Sequence, residues 1–443
     1  MRPVIHWFRQ DLRLGDNPLL RASCASAVSQ GVPWLPVFAW DPAQSGPAAW
    51  VAQRMGPQRR LALHQALSNL GRSLREVRHE LRVLQGEPGQ AIQALVAETG
   101  ATEVWAEHLP APEEEAVDQA LSAAAATQGW RFARRSPGGL FDWADLPFAP
   151  ADTPDVFTVF RQAVQGAGVR PRGIVSPPDD WPRPLPLTAL PQAMHPCPPG
   201  LSTAADEAKA EPRSSFPLHE PAWQIGEHTA RAHWSRYLER GLAHRYKATR
   251  NGLHGTDFST KLSPWLAWGA ISASQVQHDL QRWEAEHGAT DSSGWVTFEL
   301  LWREHFRLLH LKHGRRLYRA AGLSQLPRPR HDAEAFERWC AGRTGHALID
   351  AGMRELLATG WLSNRMRQIV ASHLIHDLGC DWRAGAAWFE SRLIDFDVFS
   401  NQGNWAYIAG RGTDPRGGRR FDPDKQAREH DPDGSYRRMW GTA

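Results

Sequence analysis

Asp395, Asp397, Asn401, Asn404 and Trp405 crowd two carboxylates, two carboxamides and an indole into eleven residues near the end of the chain. Some thirty residues earlier stands Trp361-Leu-Ser-Asn364-Arg365-Met-Arg367-Gln, continued by Ile369, Val370, Leu374, Ile375 and Leu378 at helical spacing. That period sets Trp361, Asn364 and Arg365 on one face. A helix aiming an indole, an amide and a guanidinium at a segment of acids and amides builds a polar pocket with aromatic walls, suited to a flat heteroaromatic cofactor. Each residue also has a plainer explanation: core aromatics, a turn asparagine, and a structural ion pair of Arg367 with Asp395.

Two more segments carry chemistry. Tyr246 and Arg250 precede Ser259-Thr260-Lys261-Leu262-Ser263-Pro264, where a serine cap followed by proline starts a helix. Free amides, hydroxyls and Lys261 would then face one point, an anion site fit for a pyrophosphate. Taken alone, the motif is better explained by simple capping. In the second segment Glu299, Trp302, Arg303 and Phe306 share one stripe by three-and-four spacing. An acid and an indole on an inner face can hydrogen-bond and stack on a base-like ring; an amphipathic helix with a surface ion pair is the alternative.

These segments need a scaffold. Apolar runs at residues 4–8, 35–40, 81–84 and 103–106, separated by helical stretches such as 57–74, predict a doubly wound parallel sheet over residues 1–135. No G-x-G-x-x-G follows a strand, so nothing there suggests a dinucleotide site. Residues 136–215 are proline-rich, especially 171–199, and read as a connector without regular helix or sheet. Helical periodicity dominates residues 216–443, with strong stretches at 228–242, 264–283, 295–310 and 347–378. Fold class is therefore α/β, with an all-helical second domain.

Composition excludes several functions. At 443 residues the chain exceeds one ordinary core, and a formal charge of only +3 leaves nucleic-acid contact to local arginine patches. Cys24, Cys197, Cys340 and Cys380 show no C-x-x-C pairing, which predicts free thiols in a reducing cytosol and no metal site. No stretch approaches twenty apolar residues, and the first thirteen carry arginines and an aspartate, so secretion and membrane spanning are not expected. The protein reads as a cytoplasmic monomer. Twenty-one tryptophans against five tyrosines is an unusual ratio, and most of the indoles fall in the second half.

With these residues in view, the chain resembles the photolyase/cryptochrome family, and within it the DASH cryptochromes. The likeness starts at Trp7-Phe-Arg9-Gln-Asp11-Leu-Arg13-Leu-Gly-Asp16-Asn17 and continues at Val156-Phe-Thr-Val-Phe-Arg161. It includes the stretch from Tyr246 to Trp265, the Glu299 helix, Asp395 to Trp405, and the tail from Asp431 to Trp440. The resemblance implies an N-terminal antenna domain and a helical domain holding a U-shaped FAD. Tyr246 and Ser259 to Ser263 would hold the pyrophosphate, Arg367 would pair with Asp395 beside the isoalloxazine, and Asp397 would bind the ring's polar edge; Arg303 and Trp361 would complete the cofactor site. Asn401 would face N5, where an amide offers no ready proton. The fully reduced anionic cofactor should then persist.

On the family mechanism, light-excited reduced FAD lends an electron to a cyclobutane pyrimidine dimer flipped out of DNA. Glu299 would hydrogen-bond the pyrimidine edge, Trp302 would stack on it, Asn364 would line the cavity, and Arg250 and Arg365 would hold flanking phosphates. Tyr407 stands where duplex-acting relatives place a second indole. This weaker wall predicts repair of single-stranded DNA. Asn364 replaces the histidine of six-four photolyases. Trp405 and Trp382 match the inner members of the family's tryptophan relay, whose outer member is missing between Trp302 and Trp339; either Tyr318 or Trp339 substitutes as terminus, or the hole stays on Trp382 and recombines quickly. Glu113 or Glu114 would contact a methenyltetrahydrofolate antenna, or simply begin a solvated helix. Retained Glu299, Trp302 and Asn364 favour a repair enzyme over a light-signalling flavoprotein that binds nucleic acid without repairing it.

Overall fold

The apolar runs near the N-terminus form a five-stranded parallel sheet: β1 (Val4–Phe8), β2 (Trp34–Trp40), β3 (Arg82–Gln85), β4 (Glu103–Glu107) and β5 (Arg131–Arg135), in the order β3-β2-β1-β4-β5. The structure, a computed structural model, describes residues 2–136, 139–186, 201 and 203–441. Val4 sits opposite Trp34 on one side and Glu103 on the other, so β1 is central and buried along its length. Four crossover helices, Pro18–Gln30, Pro57–Glu76, Pro88–Thr99 and Pro112–Gln128, each open on a proline, whose fixed φ suits a first helical turn. The fifth strand escaped the apolar-run criterion because Arg131, Arg134 and Arg135 occupy it. Charges of this kind protect a sheet edge from further pairing.

Two expectations from the sequence are corrected. The segment expected to lack regular structure contains the helix Phe157–Gly166, whose Phe157 and Phe160 are buried against the helical half. Proline enrichment is concentrated after it and says nothing about this turn of chain. The single stretches at 264–283 and 347–378 each divide in two. Ser263–Ala267 is separated from Ala273–His287 by Gly269, at φ 67°, where a Cβ would lie 1.9 Å from the Gln10 carbonyl oxygen. Gly360, at φ 69°, ends Ala347–Thr359 before Ser363 caps Asn364–Ser372, which runs on through a π turn, His373–Asp377.

One apolar core runs from the sheet's helices, through Leu19 and Leu61, to Trp234, Leu280 and Leu308 of the helical half. Buried charges fasten the same seam. Glu107 at the end of β4 meets Arg307 at 3.1 Å, Asp16 meets Arg172 at 2.7 Å and also accepts from Ser272, and Arg13 donates to the Gly269 carbonyl at 3.0 Å. Among the described residues, no helix is long and apolar enough to cross a membrane, and Cys24, Cys340 and Cys380 are free thiols; Cys197 lies outside them.

Candidate functional site

Three helix starts and one long helix converge on a cavity of about 550 Å³. The long helix, Asp291–His313, begins with a reciprocal cap between Thr290 and Ser293. Its stripe puts Trp295, Phe298, Glu299, Trp302, Arg303 and Phe306 on the cavity, as the three-and-four spacing predicts, with Trp295 added.

The anion-site segment forms a second wall. Tyr246, Ser259, Thr260, Lys261, Leu262 and Ser263 all line the cavity. Leu262, not a serine, occupies the N-cap position, and Pro264 falls in the first turn. Lys261 is held at φ 55°, a left-handed conformation uncommon outside glycine, and is 2% exposed. Its Nζ has no hydrogen-bond partner and lies 3.4 Å from the Phe258 ring centroid and 3.9 Å from that of Trp361. Burial pushes its ammonium well below the ordinary lysine range.

The third wall corrects the sequence reading. The helix starts at Asn364, with Ser363 accepting from the Met366 N–H, so Trp361 precedes it. Trp361, Asn364, Arg367 and Gln368 face the cavity; Arg365 turns aside, donating to Asn251 at 3.1 Å beneath the Phe421 ring. Arg367 pairs with Asp395 through both carboxylate oxygens, at 3.0 and 2.8 Å. Asp397 caps Val398–Ile408 with one oxygen, 2.7 Å from the Ser400 N–H. Its other oxygen has no hydrogen-bond partner, 3.9 Å from Arg303. Burial alone would raise this carboxyl, but the Arg303 charge and the Ser400 N–H outweigh it and hold Asp397 below the usual range.

A smaller chamber of about 100 Å³ adjoins these groups, sharing Asn364, Arg367, Asp395 and Asp397 and adding Asn401 and Trp405. Asn401 donates to the Ala386 carbonyl at 3.1 Å. At the outer mouth, Arg250 meets Glu299 at 2.5 Å while lying over the Trp295 ring. Desolvation pushes the Glu299 carboxyl above its ordinary range despite that cation. Trp302 stacks on Phe157 at 3.7 Å and 7°, so one face of the indole is already covered, and Tyr407 meets it edge-on at 6.0 Å.

The residues expected to form an electron relay lie differently from their order in sequence. Trp339 is fully buried in ring contact with Trp405, at 6.3 Å. Trp382, equally buried, donates to the Ala320 carbonyl, and Tyr318 contacts the His310 ring. On the sheet domain, Glu113 is exposed and paired with Arg54 at 2.7 Å, which also holds Glu390. Glu114 is half-buried, and burial raises its carboxyl.

Trp295, Gln368, Ser400 and Asn404 also line the cavity. Helical spacing could have found all four: Trp295 from Glu299, Gln368 from Asn364, and Ser400 then Asn404 from Asp397. Among the described residues no cluster of histidine, cysteine and acids is arranged to hold a metal. What the cavity demands is a ligand with anionic oxygens for Lys261, an acceptor for the unbonded Trp361 indole N–H, and a donor for the second Asp397 oxygen. FAD, with a pyrophosphate and a polar flat ring, supplies all three.

Comparison with known proteins agrees. Residues 4–179 match the family described as DNA photolyase, and residues 295–442 match the FAD binding domain of DNA photolyase. The chain is 39% identical to a cryptochrome DASH of Gloeobacter violaceus, covering 99% of this chain and 85% of that one. It is 37% identical to a cryptochrome DASH of Xenopus laevis, covering 99% and 82%. Among solved structures, a Synechocystis cryptochrome superposes with a TM-score of 0.88 at 36% identity, covering 99% of this chain and 89% of that one. A class III photolyase from Agrobacterium tumefaciens gives 0.77 at 29%, covering 99% and 86%. The chain belongs to the photolyase/cryptochrome family, a flavoprotein whose full-length relatives are DASH cryptochromes and whose cofactor is FAD.

Proposed function

We propose that the protein is a light-driven lyase that splits cyclobutane pyrimidine dimers, preferring single-stranded DNA, in the cytosol. The observation that carries this reading is Glu299 at the cavity mouth, on the same helical stripe as Trp302 and bonded to Arg250 at 2.5 Å. FAD, once reduced and illuminated, supplies the electron that opens the cyclobutane ring and takes it back. The chain's residues bind and orient. Arg250 exchanges Glu299 for a backbone phosphate when DNA docks, a transfer that suits its planar fork of donors. Glu299, released from Arg250, hydrogen-bonds the pyrimidine edge. Trp302 offers the face that Phe157 leaves uncovered, and Tyr407, held by the Arg419 Nε at 2.8 Å, closes the side of the mouth.

Flipping a lesion from a duplex costs a few kcal/mol that a single strand does not require, and one indole with a tyrosine returns less of it than two indoles. The test is the reduced protein under blue light with a thymine-dimer oligonucleotide, single-stranded and duplex, across a salt series. Faster splitting of the single strand, weakening as salt rises, is expected. Binding without splitting would favour a light-signalling role in place of repair.

A further inference from the structure

A second cavity, of about 240 Å³, lies against the mouth of the first. Trp302, Phe306 and Tyr407 line both, so the wall between them is one layer of side chains. The far side of the smaller cavity is closed by Phe157 and Thr158, at the start of the helix Phe157–Gly166, and by the loop 412–416. Its volume falls below the usual range of drug-sized sites and suits one heteroaromatic ring system.

The polar groups around it define what fits. Asp414 is satisfied within the chain: one oxygen accepts from the Arg416 N–H and Nε, both at 3.0 Å, and the other from Arg416 Nη2 and Arg419 Nε, both at 3.3 Å. Asp155 is not. Its Oδ1 takes both Lys312, at 2.9 Å, and His313, at 2.7 Å, while among the described residues no hydrogen bond reaches Oδ2. This side chain is 45% exposed, open to an incoming donor. A free carboxylate oxygen beside the Phe157, Trp302 and Tyr407 rings calls for a flat ring that bears an amino group. At the rim, Arg416 is 65% exposed and its Nη2 also reaches the Tyr407 hydroxyl at 3.4 Å, a position that favours an anion on the solvent side. An aminated base joined to a phosphate meets all of these demands.

We propose that this cavity holds the base adjacent to the dimer in a single strand, and that it prefers adenine, cytosine or guanine to thymine. The inference rests on the dimer docking in the larger cavity as proposed above. The strand then straddles the shared wall, with the dimer on one side and its neighbour on the other, a step that consecutive nucleotides of an unstacked strand can span. The exocyclic amino group of the three preferred bases donates to Asp155 Oδ2; thymine has no such group. In a duplex the same base is held by its partner, so drawing it into the cavity adds the cost of a second broken pair. The preference for single strands thus gains a contact of its own, separate from the weak wall at Tyr407.

The experiment measures, in the dark, the affinity of the flavin-loaded protein for single-stranded thymine-dimer oligonucleotides whose 5′ or 3′ neighbour is cytosine, thymine or an abasic site. At one of the two neighbours cytosine should bind roughly tenfold more tightly than the abasic site, the worth of one stacked base. Thr158→Trp, at an exposed position of the helix, fills the cavity and should bring that ratio close to one with wild-type flavin content. Asp155→Asn keeps the shape but offers a donor as well as an acceptor, so it should erase the preference for cytosine over thymine and keep the preference over the abasic site. Equal affinity for cytosine and the abasic site, an equal loss at both neighbours, or ratios unmoved by the two substitutions would overturn the inference. A wild type that binds the dimer strands no better than undamaged ones would instead overturn the reading beneath it.

Discussion

Two buried polar regions of this molecule are built to opposite rules. At the seam between sheet and helices buried charges meet opposite ones, Glu107 with Arg307 and Asp16 with Arg172. In the cavity a few residues away, Lys261 Nζ, one Asp397 oxygen and the Trp361 indole N–H have no hydrogen-bond partner in the chain. Burying such groups unsatisfied is costly, so a cavity that keeps several of them has left their partners to a ligand. The seam's ion pairs fasten the fold, and the cavity's unpartnered groups suit a cofactor.

The contrast is broken most sharply at the seam. Arg307→Ala strands the Glu107 carboxylate in the core and should cost roughly 3–5 kcal/mol in urea unfolding. An unchanged midpoint would mean that Glu107 needs no partner there, and the distinction between the regions would fail. In the cavity, Asp397→Ala should remove most bound flavin and, through loss of its cap on Ser400, about 1 kcal/mol of stability. Asp397→Asn separates the two effects: asparagine caps as well, so stability returns while flavin content stays low. Full flavin in either variant would show that Asp397 is not a cofactor ligand.

A smaller effect is expected at the mouth. Glu299→Ala should bind FAD normally, because its carboxylate faces Arg250 and the outer cavity, yet lose roughly tenfold to hundredfold in light-driven dimer splitting. An unaltered quantum yield would move the substrate contact to another residue.

The sequence exposed some of this and hid the rest for physical reasons. The Glu299 stripe was legible because one long helix repeats its phase over many turns, while the pairing of Arg367 with Asp395 came from the family resemblance. Arg365 was misplaced because phase depends on where a helix begins. Ser363 caps without a Glu or Gln three residues later, so the start at Asn364 carried no capping-box signature. The first four strands announced themselves by apolar runs; β5 did not, because an edge strand has reason to be charged. Contacts across the chain were hidden altogether. That Phe157 covers one face of Trp302, or that Trp339 lies on Trp405, depends on tertiary packing that no local pattern encodes.

The smallest effect concerns a residue that shares both characters. Glu355 is fully buried behind Lys261; one carboxylate oxygen accepts from the Tyr436 hydroxyl and the other has no partner. Burial raises its carboxyl to about 8 from an ordinary 4.5, against the lowering influence of Tyr436, Lys261 and Arg367. The folded protein therefore keeps this proton between those two values, where the unfolded chain has lost it. Stability from this group is complete below the lower value, declines as pH rises between the two, and levels off above the higher one. Lys261, shifted downward, titrates in the opposite sense, so the raw pH curve mixes both. Glu355→Gln cannot ionise and retains a carbonyl for Tyr436, which makes the difference between the two proteins diagnostic. From pH 5 to 8.5 the wild type should lose ~2 kcal/mol more than Glu355→Gln in urea unfolding of the flavin-loaded protein, about half of the full linkage. Parallel curves would mean that Glu355 ionises as an ordinary carboxylate and that Lys261 already has its counter-charge in the chain. The cavity would then resemble the seam.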